Sequence, residues 1–124
     1  MVTYWHFDYS DQEVAALTNH LRDCARRGTI IHYDDAFTVV KELGNYHGPH
    51  DPRLWYLLGY ISEQEIQAGR APLSAIVVVK SGEGANRPGQ GFFLLERDLG
   101  RYKSDDDSTW VAEIEALFEY WPQN

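Results

Sequence analysis

His47-x-x-His50-Asp51 puts two imidazoles and a carboxylate in one short stretch, and histidine nitrogen with carboxylate oxygen is a donor set that zinc accepts. The same stretch holds Gly48 and Pro49 and reads as a loop, which preorganises ligands poorly, with Asp51 better employed as a helix cap. No resident metal is therefore expected. Gly82-Glu83-Gly84-Ala85-Asn86-Arg87-Pro88-Gly89-Gln90-Gly91 has the glycine content of a phosphate cradle. It lacks the Lys-Ser/Thr that such a loop needs, and it leads into Phe92-Phe93-Leu94-Leu95, an apolar run that reads as a strand. The expectation is a hairpin tip, with Arg87 placed to meet phosphate or a narrow minor groove.

Metal-dependent nucleases set an acid two residues before a strand lysine, so that carboxylate and ammonium flank one phosphate; here Lys80 is preceded at that spacing by Val78. Ser74 has no glycine two residues to either side and so no nucleophile elbow, and the pair Glu96 and Asp98 has the look of a solvated strand end. Cys24 falls in an apolar helical stripe, as a small buried hydrophobe would. His6, His20 and His32 have no partner that spacing identifies. No catalytic constellation emerges, so neither an enzyme nor a cofactor is expected.

The elements that must carry these residues can be read from caps and periodicity. Ser10-Asp11-Gln12-Glu13 is a capping box, followed by Val14, Leu17, Leu21 and Cys24 at helical spacing and by Gly28 as a stop. Thr29 to Tyr33 is β-branched and aromatic, a short strand; Asp34 then caps a helix with Phe37, Val40 and Leu43 on one face and Gly44 at its end. Asp51-Pro52 starts a third helix, to roughly Ala68, with Leu54, Leu57, Leu58 and Ile61 inward. Leu73 to Lys80 and Gly91 to Glu96 read as the strands of a hairpin around a long loop. Asp107 or Ser108 caps a last helix in which Trp110, Val111, Ile114, Leu117, Phe118 and Trp121 share a face.

The chain of 124 residues, 44% hydrophobic and 24% charged, is long enough for one domain with a real core, residues 1–124, and has no run that suits a membrane span. Its start has neither the basic flank nor the apolar stretch of a secretory signal, and its single cysteine forms no internal disulfide; a soluble, cytoplasmic protein is the expectation. The net charge of −8 is unevenly spread. Residues 73–103 hold five basic and three acidic groups, whereas 104–124 hold six acidic groups and no basic one. Asp105, Asp106, Asp107, Glu113, Glu115 and Glu119 therefore form the strongest local bias, on the first turn and polar side of the last helix.

Helix, strand, helix, loop, helix, hairpin is the order of a winged helix. The stretch from about Thr29 to Val79 runs through Thr29 to Tyr33, a short helix ending in Leu43-Gly44, Arg53, Leu57-Leu58-Gly59, and Pro72 before an apolar strand. In this it resembles the DNA-binding winged-helix domain of O6-alkylguanine-DNA alkyltransferases and alkyltransferase-like proteins. The resemblance implies the fold, and it sets Arg53 one residue out of register with the family's base-displacing arginine. The family's reactive segment reads Pro-Cys-His-Arg-Val, where this chain has Pro72-Leu73-Ser74-Ala75-Ile76. Leu73 supplies no thiolate, so the resemblance extends to the fold and not to alkyl transfer.

The fold expected is thus α+β and winged-helix-like: three helices and a long-loop β-hairpin, then a C-terminal amphipathic helix. Charge and missing chemistry lead to a non-enzymatic binding protein for a basic protein partner, an inhibitor of a nuclease toxin of the immunity-protein or antitoxin kind. Its contact residues would be the six acids named above, with Tyr4, Trp5, Tyr46 and Tyr120 as candidate aromatic anchors. The alternative is a DNA-binding winged-helix regulator using Arg53, Lys80 and Arg87. No membrane association is expected.

Overall fold

The computed structural model describes residues 8–124; Tyr4, Trp5 and His6 lie outside the described residues. Helix α1 (Asp11–Arg26) begins as its sequence requires. The Glu13 amide donates to Ser10 Oγ at 3.1 Å and the Ser10 amide to Glu13 Oε2 at 3.0 Å, so two otherwise orphaned donors are satisfied at once. Gly28, at φ 63°, turns the chain into strand β1 (Ile31–His32). Helix α2 (Tyr33–Val40) starts one residue before the expected cap: His32 occupies the cap position and Asp35 accepts its amide at 3.0 Å, which leaves Asp34 inside the first turn. Helix α3 (Pro52–Gln67) follows its signals closely, with Asp51 accepting the Arg53 amide at 2.9 Å and Leu54, Leu57, Leu58 and Ile61 buried.

The expected hairpin is absent from the described residues. Leu73–Ile76 is a single 3-10 turn, strand β2 (Val77–Val78) pairs in parallel with β1, and Gln90–Asp98 is helix α4. Ile31 lies opposite Val77 and His32 opposite Val78. The physical reason is burial: Leu73 to Val78 is enclosed throughout, as in a parallel strand covered on both faces, whereas one face of a hairpin in this position would meet water. In α4 the buried residues are Phe92, Phe93, Leu95 and Glu96, a helical spacing with Leu94 exposed between them. A short apolar run does not distinguish strand from helix by periodicity alone. The glycine-rich segment between them is a closed loop, held by Val79 N–H to Arg87 O at 2.9 Å and Asn86 N–H to Val79 O at 2.6 Å. The architecture is a mixed one of five α-helices and a two-stranded parallel sheet among the described residues.

Helix α5 (Asp106–Tyr120) is capped by Asp105, which accepts the Ser108 amide at 2.7 Å, rather than by Asp107 or Ser108. Leu117 and Trp121 are buried, Trp110, Ile114 and Phe118 pack against the same core, and Val111 stays half exposed. Trp110 Nε1 donates to Ala75 O at 2.8 Å and so ties α5 to the 3-10 turn. Helix α1 sits centrally, in contact with α2, α3, α5 and that turn, while α4 packs on α3. No helix among the described residues is long and apolar enough to cross a membrane.

Candidate ligand pocket

Helices α2, α3 and α4, the 3-10 turn and the 79–81 segment meet around a cavity of about 510 Å³. Its walls are the rings of Tyr33, Trp55, Tyr56 and Phe92 with Leu58, Leu94 and Leu95. Its polar groups include Ser74, Lys80, Ser81, Asp34, His50 and Gln90. Apolar walls with a few convergent polar groups are the usual make-up of a small-ligand site, and this volume lies within the usual range. Trp55 and Leu94 stand at the mouth, 44% and 47% exposed, a large apolar surface for water to meet unless something covers it.

The hydrogen bonds around the pocket leave donors available. Tyr33 Oη accepts the Gly89 amide at 3.2 Å, and burial raises the Tyr33 pKa, so the phenol keeps its own proton. A Cβ at Gly89 would lie 2.8 Å from that oxygen, so any larger residue there would require the Tyr33 ring to shift. Ser74 is bound to Ser62 through its amide at 3.0 Å and its hydroxyl at 2.8 Å. Gly89, as the cap residue of α4, brings no side-chain oxygen to the first amides of that helix, and Gln90 and Gly91 both line the cavity.

Of the basic residues singled out from sequence, only Lys80 lines this pocket. Arg53 is spent on the loop before α3: its guanidinium donates to Gly44 O at 3.0 Å, Asn45 O at 2.8 Å and Asp51 Oδ2 at 3.0 Å, and it lies 4.6 Å from the centre of the Tyr46 ring. The paired guanidinium holds the Asp51 carboxyl far below the usual carboxylate range. Tyr46 is accordingly a buried structural ring, and its hydroxyl donates to Glu13 at 2.7 Å. A Cβ at Gly44 would come within 2.4 Å of both Glu13 Oε1 and the Tyr46 ring. Arg87 is on no wing tip; it pairs with Asp107 and lies 5.8 Å from the Trp110 ring.

The acidic residues are used unevenly. Asp105 is the α5 cap, Asp106 accepts from the Tyr102 hydroxyl and lies 3.7 Å from Arg97, and Asp107 pairs with Arg87. Glu113 is not on a solvated face: it is 7% exposed and takes Arg101 bidentately at 2.7 and 2.8 Å. Glu115 and Glu119 are exposed, beside the half-exposed Val111 and Tyr120. Beneath Glu113 is Glu96, fully buried on α4, with Arg101 Nε at 3.5 Å. His47 gives its amide to Asp51 and His50 lines the pocket; no group of three or more His, Cys, Asp or Glu among the described residues is placed to hold a metal ion.

Spacing rules missed the pocket because its members come from segments far apart in sequence. One signal was available: Trp55, on α3, lies off the Leu54, Leu57, Leu58, Ile61 stripe, and a tryptophan on the outer face of a helix needs a reason. Comparison of the chain with protein-family models, with curated proteins and with solved structures finds no match.

Proposed function

We propose that the protein is a non-enzymatic binding protein whose pocket receives a planar ring, and that the ring is an unstacked base of DNA. The observation that carries this reading is the aromatic-walled cavity with Ser74 and Tyr33 on its lining. Flat rings stack on such walls whatever their substituents. The resemblance to alkyltransferase-like domains supports the choice of a base, since the segment that replaces the family's reactive one, Pro72 to Ile76, contributes Ser74 to the lining. With leucine at position 73 the contact would be non-covalent. In this form the DNA-binding alternative rests on the pocket and Lys80, not on a wing and not on Arg53 or Arg87, both of which have internal partners.

The test is fluorescence anisotropy of labelled duplexes, one fully paired and one with a single unpaired base, at about 50 and 200 mM salt. The unpaired-base duplex is expected to bind at least about tenfold more tightly, because its base leaves the stack at lower cost. Salt dependence should be shallow, roughly one or two phosphates' worth, as a net charge of −8 offers no broad basic face. Equal affinity for the two duplexes, or no binding at high micromolar protein, overturns the proposal.

A second reading, a basic protein partner such as a nuclease toxin, is favoured by the outer face of α5, where Val111 and Tyr120 are 50% and 42% exposed beside Glu115 and Glu119. Glu115→Lys with Glu119→Lys is expected to weaken binding to a cationic nuclease by more than about tenfold through lost steering and pairing. Glu113 is left out of that pair because reversing it would break its bond to Arg101. Unchanged affinity removes the acidic face from consideration.

A further inference from the structure

Between Ser62 on α3 and Ser74 on the 3-10 turn there are two hydroxyl protons and one short contact. Ser62 Oγ accepts the Ser74 amide at 3.0 Å and lies 2.8 Å from Ser74 Oγ. One proton fills that contact and the other must point elsewhere. Ser62 is fully buried, and a leftover proton there would be stranded in the core; Ser74 lines the pocket. The arrangement that strands nothing has Ser62 donating to Ser74, which occupies a Ser74 lone pair and leaves the Ser74 proton for whatever fills the cavity. No acceptor for it is found among the described residues. Ser74 is itself buried, so that donor is largely shielded from bulk water, where an unmatched hydrogen bond is costly and a matched one selective.

We infer that Ser74, oriented by Ser62, selects ring ligands that present an oxygen or nitrogen acceptor over equally flat hydrocarbon ones. Ser74 is the contact residue and Ser62 the positioning residue. The inference rests on the ring-binding reading above and adds to it the chemistry of the ring's edge: a carbonyl, ether or unprotonated ring nitrogen at the Ser74 end. Nothing in it depends on the ring being attached to DNA, so small molecules test it directly.

Coumarin and naphthalene are the probes, two fused six-membered rings of similar outline of which only coumarin carries a carbonyl acceptor. Binding is read by quenching of tryptophan emission in the full chain. Ser74→Ala is expected to weaken coumarin about tenfold and to leave naphthalene within about twofold, the loss of one buried hydrogen bond. Ser62→Ala, which frees the Ser74 hydroxyl to rotate, is expected to reduce the coumarin-to-naphthalene ratio in the same direction, a change that general loosening of the fold would not produce. Should alanine at position 74 lower the folded fraction, Ser74→Cys, nearly isosteric and a weaker donor, makes the same comparison. If both probes bind and neither substitution moves the ratio, the selection by Ser74 is overturned while the ring-binding reading stands. If neither probe binds the unmodified protein, the ring-binding reading itself falls and takes the inference with it.

Discussion

Trp55→Ala is expected to cost about ten- to hundredfold in affinity for the unpaired-base duplex, the worth of one aromatic stacking platform. Trp55 is 44% exposed at the pocket mouth, so the folded protein loses little by its removal. The melting temperature should move by no more than about 2 °C, as for other surface substitutions away from the core. Trp55→Phe keeps a flat face and should recover most of the affinity. The contrast matters because a pocket that forms only as a by-product of packing would show neither the loss nor the recovery. Titration of the two variants against the same duplex decides it, and full affinity in Trp55→Ala would sink the stacking role.

The second large effect is on stability and comes from Glu96. Its carboxyl is fully buried, with Glu113 beside it and Arg101 already held by Glu113. Burial first, and then the Glu113 carboxylate, push its pKa up to about 9, against the weaker pull of Arg101 and Lys103. In the unfolded chain the same group ionises near the ordinary glutamate value of about 4.3. A folded pKa above the unfolded one means that the contribution of Glu96 is fully present below the unfolded value and is lost as pH rises through the folded one. The protein should therefore melt progressively lower from about pH 5 to about pH 9. Glu96→Gln keeps a neutral group whose amide can donate to Glu113, and it should flatten this slope and raise the melting temperature at pH 8. Thermal melts across that range are the measurement; parallel profiles for the two proteins would show that Glu96 does not set the slope.

Local signals told most where one element could satisfy them alone. The Ser10 to Glu13 box and Asp51-Pro52 gave the starts of α1 and α3, because a cap is a matter of neighbouring residues. The leucines of α3 showed their inner face for the same reason. Where a partner from elsewhere decided the outcome, sequence was blind. Gly91 to Glu96 is helical since its burial follows a helical stripe against α3, and Leu73 to Val78 finds its pairing partner in β1 rather than in the next segment. Glu113 fits the polar side of an isolated helix, and only Arg101, arriving from the preceding loop, turns it inward. The same limit hid the site: Tyr33, Trp55, Ser74 and Phe92 belong to four elements, and no spacing rule links them. The resemblance to an alkyltransferase-like domain drew attention to the stretch that includes Ser74, and it also put weight on Arg53, whose guanidinium is engaged with the 44–51 loop.

The two-residue ladder between β1 and β2 joins pieces of chain on either side of both α2 and α3. Closing so long a loop for so few hydrogen bonds is entropically unfavourable until the helices between have formed and packed, so the pairing belongs late in the folding of the chain. The pocket draws Tyr33 from just after β1 and Val79 from just after β2. Those two walls therefore come together in the same closing event, and the proposed ring binding, followed during refolding, would report that event and not the growth of helix that precedes it.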